Sequence, residues 1–128
     1  MNNFVEKIIS LLSTTSLVAV YSPSLKEVTN KIAAVQLLPA TRNTINMLSN
    51  SLAYVNVSFA VLVKGNKNDS ETVALCDEVF NKLHNLTDEA FTGGNIINIE
   101  GSTPMYVDTD DKENIIYNIN FFAQVEIN

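Results

Sequence analysis

The stretch AYVNVSFAVLV, residues 53–63, decides the fold, because its side chains alternate in character along its length. Apolar residues stand at every odd position from Ala53 to Val63, and the even positions from 54 to 60 carry Tyr, Asn, Ser and Ala. Successive side chains of a β-strand point to opposite faces of the sheet. The spacing therefore predicts a strand with one face in the core.

Further strands are predicted on both sides of this one. The chain ends in a second alternating strand, whose apolar positions are Tyr117, Ile119, Phe121, Ala123, Val125 and Ile127. Ile32–Leu38 is almost entirely apolar and is closed by Pro39, which favours a strand buried in the sheet interior. Leu17–Tyr21 and Asn95–Ile99 are shorter extended pieces. The expected sheet has about four to five strands.

Two helices are predicted from apolar residues at helical spacing. The first covers residues 3–13, with Asn3 and Glu6 at the spacing of a capping box and a stripe of Val5, Ile8, Ile9 and Leu12. The second begins at Asp69 or Ser70, ends near Asn85 and has a stripe of Val73, Cys76, Val79, Phe80 and Leu83. The order of elements predicts an α+β fold: an antiparallel or mixed sheet with both main helices packed on one face.

Length and charge limit the classes of function. The 128 residues are 46% hydrophobic, which suits one domain over residues 1–128, and the net charge of −6 argues against wrapping nucleic acid. Residues 1–67 hold six Lys and Arg against two Glu, a net +4, whereas residues 68–128 hold two Lys against twelve acids, a net −10. Faces of opposite sign suit a head-to-tail ring. The alternative is an acidic surface that contacts nothing.

Two segments are predicted to be loops that are long for a domain of this size. The first, Ala40 to Ser51, is polar and contains Arg42, Asn43 and Asn46. The second, Gly101 to Asn114, gathers four acids within six residues, namely Asp108, Asp110, Asp111 and Glu113. A calcium loop of the helix-loop-helix type would need Gly at its sixth position and Glu at its twelfth, and this segment has neither. A solvated hairpin is the preferred interpretation, and no metal site is expected.

The sequence has few residues from which a catalytic site could be built. The single cysteine, Cys76, and the single histidine, His84, lie eight positions apart on one predicted helix, too far for a nucleophile and its base. Cys76 is expected in the core, and His84 is expected as a cation at the helix C-terminus. No phosphate-binding loop occurs, so neither an enzyme nor a cofactor is expected. No apolar run is long enough to span a membrane, Phe4–Leu12 does not suit a signal peptide, and a cytosolic origin is expected.

The order of elements resembles that of the tail terminator family of long-tailed bacteriophages, small proteins often called minor capsid or tail completion proteins. The likeness runs over nearly the whole chain, from the N-terminal helix through Val18–Tyr21 and the apolar segment Ala34–Pro39 to the strand Tyr54–Lys64, the helix Glu71–Leu86 and a closing strand pair. The sequence departs from the family where it has Ser51 in place of a frequent Gly and Lys64 in place of a frequent Arg.

The resemblance implies a structural virion protein that forms a hexameric ring on the last ring of the tail tube. Such a ring would stop tube polymerisation and offer its other face to the head-side connector, at the head-proximal end of the tail, after assembly in the host cytoplasm. DNA would pass through an acidic lumen without specific binding. The loops around Arg42 and around Asp108–Glu113 are the expected ring or tube contacts. Another head-tail connector ring and a small acidic protein-binding module are the alternatives.

Overall fold

The fold is built on a single mixed β-sheet. The computed structural model describes residues 2–25, 30–38, 45–47 and 53–127. Within them the elements are α1 (Asn2–Leu12), β1 (Ala19–Tyr21), β2 (Ile32–Leu37), β3 (Ile45–Met47), β4 (Ala53–Lys64), α2 (Asp69–Leu83), β5 (Thr87–Phe91), β6 (Gly94–Gly101), β7 (Met105–Thr109) and β8 (Ile115–Ile127). The α+β class is confirmed, but the described sheet has eight strands rather than four to five.

The two longest strands, β4 and β8, form the centre of the sheet. They pair antiparallel over twelve positions, from Ala53 opposite Ile127 to Lys64 opposite Ile116. Each is flanked by two shorter strands: β2 and β3 lie beside the two ends of β4, and β7 and β6 lie beside the corresponding ends of β8. The Lys64 end of the sheet therefore has the order β1-β2-β4-β8-β7, and the Ala53 end has the order β3-β4-β8-β6-β5.

Both helices pack on one face of this sheet, and the core lies between them and the central strands. Phe59 of β4 is fully buried, stacks on Phe121 of β8 at 5.3 Å between ring centroids and meets Phe4 of α1 edge-on at 5.5 Å. The described odd positions of β4, from Val55 to Val63, are all buried. The predicted alternation of residues 53–63 is confirmed for the side chains that the structure describes.

The helix α2 differs from its prediction in its start and in its buried face. Its N-cap is Asn68, whose side chain accepts a hydrogen bond from the Glu71 N–H at 3.2 Å, not Asp69 or Ser70. Thr72 and Leu75 are buried in place of Val73, and Phe80 is half-buried. Thr72 tolerates burial because its hydroxyl donates to the Asn68 carbonyl at 3.0 Å.

Burying Thr72 also requires a glycine in the turn before the helix. A Cβ atom on Gly65 would collide with the Thr72 side chain. At the other helix, α1 begins at Asn2, so Asn3 lies inside it rather than at its cap.

Three strands were not predicted, because their sequences lack a strong alternating pattern. β3 lies within the expected loop 40–51, β7 lies within the expected loop 101–114, and β5 precedes the turn at Gly93. Each is short and pairs with a longer strand. Its extended structure depends on backbone hydrogen bonds to that strand, which its own side-chain pattern does not predict.

Candidate interaction surfaces

The four acids that the sequence singles out come together at the tip of a β-hairpin formed by β7 and the start of β8. Asp108 lies in β7, and Asp110, Asp111 and Glu113 lie in the turn. Asp110 organises this turn, because its Oδ1 accepts hydrogen bonds from the backbone N–H groups of Lys112 and Asn114, each at 2.9 Å. The expected hairpin is confirmed, although its first arm is a strand and not a solvated loop.

A largely buried ion pair joins this turn to the central strand β4. The Lys64 ammonium lies 2.7 Å from Asp110 Oδ2, and the two side chains are 4% and 21% exposed. The bond from Lys64, with help from the turn's backbone amides, lowers the pKa of Asp110 from its usual 3.8 to about 2 against the opposing effect of burial. Asp110 is therefore a carboxylate engaged inside the fold.

The other three acids face solvent. Asp108 accepts a hydrogen bond from the N–H of its neighbour Thr109 at 2.7 Å, and Asp111 is exposed. Glu113 lies 3.7 Å from the Lys67 ammonium, with both side chains about three-quarters exposed. Exposed pairs of this kind contribute little to stability. These three carboxylates are accessible to a partner.

The base of the hairpin is fixed to the start of α2. The Tyr117 hydroxyl donates a hydrogen bond to Asp69 Oδ1 at 2.8 Å, and this bond raises the pKa of Tyr117. Ile115 exchanges backbone hydrogen bonds with the turn after β4, through Gly65 N–H and the Asn66 carbonyl. The hairpin is thus held to the rest of the fold near its tip, through Asp110 and Ile115, as well as at Tyr117.

The second group of expected contact residues lies elsewhere. Arg42 and Asn43 lie outside the described residues, and the backbone of Asn46 pairs with Tyr54 in β3 and β4. Tyr54 and Lys64 lie at opposite ends of β4, about 33 Å apart at the rise of an extended strand. The structure does not bring Asn46 to the acidic hairpin.

Sequence reasoning missed the apolar character of β7. Met105, Tyr106 and Val107 are each more than half exposed, although they follow one another in a strand. The sequence does contain a sign of this strand, namely the three consecutive apolar residues between Pro104 and Asp108, because a solvated loop is not expected to hold such a run. Contiguous exposed apolar residues often mark interaction sites.

The sheet face away from the helices is a second open surface. Along β4 and β8 its uncharged polar residues include Asn56, Ser58, Asn118, Asn120 and Gln124, and they alternate with apolar residues such as the buried Ala60. Glu100 and Glu126 lie on the same face, and Phe122 is 44% exposed there. This surface is polar and acidic.

Cys76 and His84 both have structural roles. Cys76 is fully buried, and its pKa is raised to about 12, mainly by burial. His84 accepts a hydrogen bond from the Gly101 N–H through Nδ1 at 2.9 Å and stacks on Phe80. Because an accepting Nδ1 carries no proton, the expected cationic role of His84 at the helix end is wrong for this arrangement.

Within the described part of the chain, no group of three or more His, Cys, Asp or Glu side chains could hold a metal ion. The described helices also include none that is long and apolar enough to cross a membrane.

Comparisons with known proteins give the fold its context. The fold is similar to that of a chain in the solved "Virion of native gene transfer agent (GTA) particle", with a TM-score of 0.64, 13% sequence identity and coverage of 98% of this chain and 96% of that chain. No curated protein matches the sequence. The sequence profile described as "Bacteriophage tail terminator protein" matches residues 18–127, from the start of β1 through the end of β8. The chain therefore belongs to the bacteriophage tail terminator family.

Proposed function

We propose that six copies of this chain form a ring that caps the phage tail tube, ends tube polymerisation and provides the surface for head joining. One observation carries the proposal: the family match covers residues 18–127, which include the complete sheet and α2. Membership makes the chain a tail-related structural protein of a phage and not an enzyme. Its position at the head-proximal end is part of the proposal.

The separation of the two candidate contact regions supports a cap with two faces. The acidic hairpin lies at the Lys64 end of β4, and β3 lies at the Ala53 end. A ring between tube and connector must bind a different partner on each side. We propose that Arg42, Asn43 and Asn46 contribute to one contact and that Asp108, Asp111 and Glu113 contribute to the other.

Asp110 does not belong with the contact residues in this proposal. Its carboxylate is bound to Lys64 and to the backbone of its own turn. A change of Asp110 to Lys would set two ammonium groups against each other, so it would damage the fold as well as any contact.

The sheet face away from the helices suits a lumen through which DNA passes. Its described charges include Glu100 and Glu126, and the lysine on that face of β4, Lys64, is buried. Carboxylates repel the phosphate backbone, so DNA would slide past such a wall rather than bind to it.

The uneven charge of the two halves gives less support to the ring than the sequence indicated. Among the described residues, three ion pairs join a lysine of the first half to an acid of the second half within one chain: Lys7 with Glu89, Lys64 with Asp110, and Lys67 with Glu113. At least three of the six basic residues of the first half are therefore engaged internally.

Tail length tests the terminator function directly. Particles assembled without this chain should have tubes of variable, excessive length, and supplying the chain should restore a uniform length, as seen by electron microscopy. Uniform tails that fail to join heads would instead assign the chain to another connector ring. Unchanged tails, together with a monomeric mass in solution, would favour the acidic binding module.

A further inference from the structure

The end of β6 is attached to the end of α2 through a side chain. Beyond β5, the outer edge of β6 is occupied by the segment that follows α2. The Asn85 N–H donates to the Ile99 carbonyl at 2.8 Å, and the Ile99 N–H donates to the Leu86 carbonyl at 3.1 Å. Gly101 lies two positions along the strand, so its N–H faces the same edge. Its acceptor is not a carbonyl but Nδ1 of His84, at 2.9 Å.

Packing holds the imidazole of His84 in this position. Its ring stacks on that of Phe80, with 4.6 Å between ring centroids and 21° between the planes. Gly101 comes so close that a Cβ atom on it would lie 3.0 Å from the Phe80 ring and 2.6 Å from the Phe121 ring. The His84 N–H donates to the Phe80 carbonyl at 2.7 Å and caps the helix. The acceptor atom is therefore fixed opposite the Gly101 N–H.

The bond to Gly101 requires a neutral imidazole. A backbone N–H can only donate, so Nδ1 must present its lone pair and the proton of the ring must be on Nε2. A proton added to Nδ1 replaces the acceptor by a second donor that faces the Gly101 N–H. Histidine is the side chain that takes up a proton between about pH 5 and pH 8. Acidification within this range therefore opposes the bond.

The sheet has few charged groups around this ring. Gly101 lies opposite Phe121 of β8, which lies opposite Phe59 of β4, and the residues on either side of these two phenylalanines are uncharged. Glu100 precedes Gly101 but lies on the sheet face away from the helices. Asp88, in β5, is exposed to solvent. Among the described residues, no ion pair includes the histidine.

The helices favour the imidazolium only weakly. Asp77 lies two turns before His84 on the same face of α2, roughly 10 Å away along the axis and beyond the screening length of about 8 Å at physiological salt. Lys82 is two positions away and does not face the ring. On α1, Lys7 is bound to Glu89. The end of a helix attracts a cation, but an unpaired N–H usually costs more than this attraction gains.

We infer that His84 is a proton-sensitive switch between α2 and the end of β6, which holds Gly101 when its ring is neutral and releases it when the ring is protonated. The release is confined to the outer edge, because the Ser102 N–H donates to the Asn120 carbonyl of β8 at 2.9 Å. Residues 102–104 lead from Gly101 directly into β7, so the switch acts on the connection to the acidic hairpin. The inference concerns the single chain and does not rest on the proposed ring.

The protonation state of the ring is the first test. The chain has a single histidine, so its imidazole nitrogens give one set of NMR signals. At about pH 7.5 the nitrogen-15 spectrum should show a proton on Nε2 and none on Nδ1. A proton on Nδ1 at this pH would overturn the inference, because such a ring cannot accept a hydrogen bond from Gly101.

Amide hydrogen exchange of the same protein measures the release. After correction for the intrinsic rate at each pH, the protection of Gly101 relative to Ile99 should fall about tenfold between about pH 7.5 and about pH 5, as expected for the loss of one hydrogen bond. Ile99 is the matched control, because its N–H faces the same edge and bonds to a carbonyl, which does not titrate. A ratio that stays constant over this range would refute the switch.

The variant His84→Phe separates the imidazole from other titrating groups. It keeps a ring that can stack on Phe80 but has neither an acceptor nor a titrating proton. The protection of Gly101 relative to Ile99 should be low at both pH values in this variant. A fall with pH equal to that of the unchanged protein would assign the effect to another group and exclude His84. Tail length enters none of these measurements, so failure of the switch leaves the proposed function standing.

Discussion

The two faces of the central strand pair β4–β8 share one backbone but have different physical roles. On the helix-covered face, Phe59, Phe121 and their neighbours are buried and packed against both helices. On the other face, the adjacent residues Ser58 and Phe122 lie in a shallow, open depression. Because side chains alternate along a strand, one residue contributes to the stability of the core while its neighbour is available for contact with a partner.

The Lys64 end is the exception on the helix-free face. Lys64 points away from the helices by its position in β4, yet it is nearly as buried as the core. Its burial depends on the Asp110 carboxylate. The comparison therefore separates the aromatic core on the helix-covered face from a second face that is buried towards its Lys64 end, at Ala60 and at the ion pair, and is open around Ser58 and Phe122.

The largest effect is expected from Phe59→Ala. Removing a fully buried aromatic ring that contacts two other rings should lower the free energy of unfolding by about 3 to 5 kcal/mol. The measurement is the denaturant midpoint. Ser58→Ala, one residue along on the other face, is the matched control and should change stability by less than about 0.5 kcal/mol. Similar losses for both variants would contradict the division between faces.

Asp110→Asn should have the next largest effect. The amide keeps an acceptor for the turn but removes the charge opposite Lys64, so the loss should be roughly 3 kcal/mol, the low end for removing one partner of a buried pair. Lys67→Ala, which breaks the exposed pair with Glu113, should cost under about 0.5 kcal/mol. Equal effects would mean that burial does not distinguish the two pairs.

Acid should remove the contribution of Asp110 gradually. Because its folded-state pKa, about 2, lies below the usual 3.8, its stabilisation is complete above the unfolded-state pKa and is lost as pH falls through the folded-state pKa. The difference in unfolding free energy between the native protein and Asp110→Asn should therefore shrink between about pH 5 and pH 2. A difference that is constant over this range would exclude the ion pair as its source.

Apart from the control variants, the smallest effect is expected from Phe122→Ser. This ring is 44% exposed on the helix-free face, so its removal should cost less than about 1 kcal/mol, in contrast to Phe121→Ala next to it. Chemical unfolding of the two variants, measured side by side, gives the loss of unfolding free energy for each. A large loss at Phe122 would show that this face is more deeply packed than its exposure indicates.

The candidate surface was only partly accessible to sequence reasoning. The density of acids marked Asp108–Glu113 correctly as a hairpin tip, because charge and turn residues are local properties. That Asp110 is engaged while Asp111 is exposed depends on Lys64, which lies 46 positions earlier in the chain. The strand β7 was predicted as loop, since its structure comes from pairing with β8.

The central strands and the helices follow from the sequence, because a repeat of two or of three to four residues is visible in any short window. Residues 53–63 and 117–127 thus define their own buried faces before any partner is known. Strand order, the bond between His84 and the Gly101 N–H and the three cross-half ion pairs follow only from folding. These features join residues that are distant in the chain. Backbone hydrogen bonds and ion pairs form between groups that are close in space, and a short window of sequence does not encode which distant groups will be close.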